Sequence, residues 1–101
     1  MLKWNAWLAQ TLSQEVRLMP RFYFDYYDRG VEATHDTEGT DLKNAAAALE
    51  EASAALGEMT KEVLRHAGSE HSLQIRVRDQ YDQPVGVCSI LFTASLVNAD
   101  G

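Results

Sequence analysis

One cysteine in 101 residues, Cys88, leaves no partner for an internal disulfide, so the composition points to a reducing compartment rather than a disulfide-stapled scaffold. Cations are scarce as well. Nine Lys and Arg against fifteen Asp and Glu give a formal charge of −6 and a pI near 4.9. That balance argues against nucleic acid or an anionic membrane as the main partner. No apolar run approaches the roughly 20 residues that span a bilayer, and Asn5 and Gln10 interrupt any signal-peptide apolar core behind Lys3. Phosphate-binding glycine loops and nucleophile elbows are missing too. The expectation is a cytoplasmic, soluble chain with no cofactor and no catalytic or metal residues.

What is present is ordinary for a globular protein: 46% hydrophobic and 24% charged residues. The length allows one domain at most, with a core near the lower end of what folds unaided. Residues 1–18 read as an extension in which Trp4, Trp7, Leu8, Leu12 and Val16 recur at helical spacing. A short amphipathic helix is expected there. Its two tryptophans favour packing on the domain, since each can bury roughly 150–250 Å². Residues 19–97 form the domain and 98–101 a frayed tail.

From Arg21 to Asp28 aromatic residues alternate, with Phe22, Phe24 and Tyr26 on one face and Tyr23, Asp25 and Tyr27 on the other. Period two with aromatic enrichment is a strand signal. Asp28-Arg29-Gly30 makes a turn, Val31 to Thr34 a return strand, and residues 35–40 a polar loop. A helix follows on the stripe Leu42, Ala45 or Ala46, Leu49, Ala52, Leu56, Met59, Val63 and Ala67. Thr40 or Asp41 would cap it and Gly68 would end it. At about 26 residues it would reach about 39 Å and overhang its sheet or bend near Gly57; an overhanging apolar stripe would call for a second copy. Leu73, Ile75 and Val77 alternate with Gln74, Arg76 and Arg78 as a third strand. The last carries Cys88, Ile90, Phe92, Ala94 and Leu96 inward, with Val87, Ser89, Leu91, Thr93 and Ser95 behind. The sum is α+β: a ββαββ antiparallel sheet with one long helix packed on one face.

The segments MPRFYFDYYDRG, DTEGTDL and IRVRDQYDQPV together resemble a small bacterial domain-of-unknown-function family, the DUF6894-like family. Asp36, Glu38 and Gly39 match its D-x-E-G loop, and Val77, Arg78, Asp79, Pro84 and Val85 match its V-R-D hairpin. Asp82 stands where that hairpin has glycine, which predicts a looser turn. The resemblance covers Met19 to Leu96; it implies a fold and a bacterial source and carries no activity. The strand–turn–strand, acidic loop and Ala/Glu-rich helix also look like the partial ribonuclease-H-like domain of HicB-type antitoxins. No DNA-binding element is recognisable after Leu96, however.

Three groups of residues could do something. His35, Asp36 and Glu38, with Asp25, Asp28 and Glu32, form an acidic cluster, but solvated loops and helix-start electrostatics account for it. His66 and His71 bracket the helix end, where they could meet. The open back of the sheet carries Tyr23, Tyr27, Arg76, Arg78 and Leu91, and Val87 would join them. Arginines beside aromatics on an open sheet can stack bases. Net acidity favours covering of that face by Trp4 and Trp7 or by a second subunit. Those seven residues, Trp4, Trp7, Tyr23, Tyr27, Arg76, Arg78 and Leu91, are the expected interaction surface. The expected partner is a second copy, or else another protein.

Overall fold

The computed structural model describes residues 19–98, and the expected N-terminal helix, with Trp4 and Trp7, lies outside them. The aromatic alternation becomes β1 (Arg21–Asp28), and the two-residue turn Arg29-Gly30, with both φ positive, returns the chain as β2 (Val31–Thr34). After the polar loop a two-residue strand, β3 (Thr40–Asp41), comes back to β1. Then α1 (Ala45–Val63) runs into a 3₁₀ turn over Leu64–His66, followed by β4 (Glu70–Asp79) and β5 (Pro84–Thr93). The strands form one antiparallel sheet in the order β2-β1-β4-β5, with β3 also on β1. The architecture is α+β, as its periodicities predict.

Three local expectations change. Thr40 and Asp41 pair with β1 instead of capping the helix, and the cap is Asn44, whose side chain accepts from the Ala47 amide at 2.9 Å. The helix is therefore shorter. Its 19 residues span about 28 Å, less than the roughly 33 Å of a ten-residue strand. The overhang disappears, and with it that reason for a second subunit. The β4–β5 turn is also tighter than the missing glycine suggests. Asp82 itself takes a positive φ of 63, and the Asp79 carboxylate accepts from the Tyr81 and Gln83 amides at 2.8 and 3.0 Å.

The core lies between α1 and the sheet: Ala48, Ala52 and Leu56 against Phe22, Leu73, Ile75 and Val77. Small residues let the helix sit close, mainly over β4 and β5. Gly86 shows how close. A Cβ there would stand 2.5 Å from a methyl of Leu49, well inside van der Waals contact. Among the described residues, the opposite face of the sheet carries no helix.

Candidate functional site

Alternation along β1 and β4 puts Tyr23, Asp25, Tyr27, Arg76 and Arg78 on the open face, and Val87 and Leu91 join them from β5. Two arginine–tyrosine stacks result. Arg76 lies 3.9 Å from the Tyr27 ring centre and Arg78 4.6 Å from that of Tyr23. A shallow depression of about 190 Å³ opens between Tyr27, Arg76, Arg78, Pro84 and Val87. Leu91 shares the face but sits four residues along β5 from Val87, about 13 Å away. Among the predicted surface residues, then, the stacks assemble as a unit and Leu91 stands apart.

Asp25 is where reading the sequence went astray. Alternation on an uncovered face predicts a solvated carboxylate, yet Asp25 is only 6% exposed. Arg78 lies across it, donating from Nε to Oδ2 at 2.9 Å and from Nη2 to Oδ1 at 3.4 Å. The Asp36 amide adds a third bond at 2.9 Å. Burial pushes the Asp25 carboxyl up, but Arg78 and that amide outweigh it and hold it below its ordinary value. Arg78 in turn is held above its own by Asp25.

The acidic loop is built the same way. Asp36 accepts from the amides of Glu38 and Gly39 at 3.1 and 3.0 Å, and from the Phe24 amide at 3.0 Å. Burial works against this charge too, and the Gly39, Phe24 and Glu38 amides overcome it. The Phe24 bond matters for the sheet, because β2 pairs with β1 from Tyr26 onward and β3 only at Arg21 and Phe22. Asp36 fills the gap between them. Gly39 closes the loop at φ 73, where a Cβ would meet Arg21 at 2.8 Å and Tyr23 at 2.9 Å. Arg78 Nη2 donates to the Asp36 carbonyl, so one guanidinium joins strand, loop and hairpin.

His35 completes the cluster. Arg78 Nη2 faces its Nε2 at 3.1 Å, and a guanidinium only donates, so Nε2 accepts and the proton is assigned to Nδ1. From there it meets Glu32 at 3.3 Å and Asp25 at 3.4 Å. Glu32 also accepts from the Tyr27 hydroxyl at 3.0 Å, which raises that phenol's pKa. Ligand atoms of Asp25, Glu32 and His35 lie within 4.8 Å of one another, close enough for one cation. Arg78 already acts as that cation. A metal on Nδ1 would move the imidazole proton to Nε2, against the guanidinium, so these residues fit an internal ion-pair network better than a metal site.

At the other end of β1, His71 meets Asp28 at 2.7 Å and Arg29 at 3.3 Å, on the helix side of the sheet. By the same logic Nε2 donates to Asp28. The trio ties the β1–β2 turn to β4. His66 lies exposed in the 3₁₀ turn, and His71 meets Asp28 and Arg29 rather than His66.

Among the described residues, a five-stranded sheet with one long helix and an internally hydrogen-bonded polar knot defines a small α+β module. The chain belongs to the family described as a domain of unknown function, DUF6894, whose model matches residues 21–93. Compared with curated proteins and with solved structures, the chain finds no match. Within those matched residues, Phe24-Asp25, Asp36–Gly39 and Val77–Asp79 converge on the Asp25–Arg78–Asp36 knot. No helix among the described residues is long and apolar enough to cross a membrane.

Proposed function

We propose that this chain is a non-enzymatic, cytoplasmic interaction module that works by holding another polypeptide, in the first place a second copy of itself. The observation that carries this reading is the side of the sheet away from α1. There the ionisable groups are already spent on one another, while Val87 and Leu91 stand 55% and 64% exposed. A catalytic site needs an acid, base or nucleophile left free to meet substrate. Asp25, Asp36 and His35 instead face Arg78 or backbone amides. Exposed Val87 beside the arginine–tyrosine stacks, with Leu91 farther along the same face, matches the composition of protein interfaces, where Arg and Tyr are enriched. The acidic balance, with Asp25 and Glu32 on the same face, disfavours a phosphate backbone.

Native mass spectrometry of the full chain, purified without chelators, tests this. The expected result is a multiple of 11.3 kDa with nothing else retained. A monomer carrying a stoichiometric metal or metabolite would replace this reading with a ligand-binding one.

A further inference from the structure

The two edges of the sheet are treated very differently. On the β1 side the edge is closed off. β2 is four residues long and contains Glu32, β3 is two residues long, and Asp36 bonds the one amide between them. Short, charged and interrupted edges are the ordinary means by which proteins prevent strand addition. On the other side β5 is, among the described residues, a ten-residue terminal strand. From Gln83 to Asn98 no residue is charged, in a chain of formal charge −6. Its side chains are β-formers on both faces: Val85, Cys88, Ile90 and Phe92 half-buried towards α1, Val87 and Leu91 exposed on the other. Alternate backbone N–H and C=O groups point away from β4.

We propose that β5 is a homodimerisation edge, pairing antiparallel with β5 of a second copy about a twofold axis near Cys88 and Ser89 to make one continuous sheet. This rests on the self-association reading above and says which surface serves it. Two identical strands pair antiparallel under twofold symmetry, so the same patch serves both copies. An uncharged strand suits that role in an acidic chain, where any carboxylate near the axis would face its own copy. The helix agrees independently. Because α1 lies over both β4 and β5, continuing the sheet sets the two helices roughly 10 Å apart, the upper end of helix packing distances. The flank of α1 that would meet its copy is the one over β5, marked by Ser53, whose hydroxyl is 3.2 Å from the Cys88 sulfur. Ala46 and Gly57 share it at helical spacing, both small and exposed. Glu51, Glu58 and Glu62 lie elsewhere, with Glu50 at the outer margin. Val87 and Leu91 gain cover on the open face.

Sedimentation equilibrium and hydrogen exchange on the full chain test this. A dimer is expected, with alternate β5 amides gaining protection as concentration rises while β2 amides do not change. Leu91→Lys and Ser53→Glu, on opposite faces of the same edge, each raise the dissociation constant roughly tenfold or more, with far-UV circular dichroism unchanged. The paired variant Tyr27→Ser/Arg76→Ser leaves it within error. A dimer that ignores Leu91→Lys and Ser53→Glu but dissociates in the paired variant overturns the β5 edge and keeps self-association, through the stacked face. A monomer at every concentration overturns both, and a retained foreign polypeptide overturns the choice of a second copy as occupant.

Discussion

Arg78 is the side chain on which most of the polar structure depends. It neutralises a carboxylate that would otherwise sit buried and unpaired, and it reaches His35 and the Asp36 carbonyl at once. Removing one partner of a buried pair costs about 3–5 kcal/mol, and Arg78 keeps some solvent contact. Arg78→Ala is therefore expected to lower unfolding free energy by about 2–4 kcal/mol in urea titration. Arg78→Lys should recover only part, because one ammonium cannot span three acceptors. The same geometry sets an acid limit. Asp25 and Asp36 are held below their ordinary value of 3.8, so their stabilisation is complete above that pH and falls away as pH drops through the lower folded values. Stability measured from pH 6 downwards should decline below about 3.8, and less steeply in Arg78→Ala. An equal slope in the two proteins would count against the pairing.

At the scale of elements, the closeness of α1 to β5 is the feature most open to test. Gly86 lies under Leu49 with no space for a methyl group. Gly86→Ala should cost about 1–3 kcal/mol through overpacking. Combined with Leu49→Ala, the loss should be smaller than the sum of the two single changes, since the shorter side chain vacates that space. Additive losses in a thermal-melting cycle would mean the helix does not press on the strand there. The helix stripe and the three long strands were legible because period 3.6 and period two leave separate marks on a sequence. β3 was not, because two residues are too short to show any period. Asn44 lost out as a cap for a related reason: Thr40 and Asp41 are equally good caps, and only their pairing with β1 removes them from contention.

For the whole molecule, the described residues already contain a closed core. Phe22, Leu56, Leu73, Ile75 and Val77 are buried with Ala48 and Ala52 between α1 and the sheet. A chain starting at Met19 should keep its circular dichroism spectrum and melt cooperatively. Loss of the folded signal would assign the first eighteen residues, with Trp4 and Trp7, to the core.

Side-chain periodicity and turn chemistry by themselves determined the α+β class, the strand that opens the domain, the face of the helix that is buried and the face of the sheet that α1 does not cover. These depend on neighbours a few residues apart, which a sequence displays directly. Only the tertiary structure decided the state of Asp25 and Asp36. Their partners lie eleven residues away in the loop, twelve at the Phe24 amide and fifty-three along the chain at Arg78, and no local pattern encodes that meeting. The charge of Glu32 in β2 and the uncharged run from Gln83 to Asn98 are plain in the sequence. That these two strands fold to the outside of the sheet is decided only by the tertiary pairing of β1 with β4.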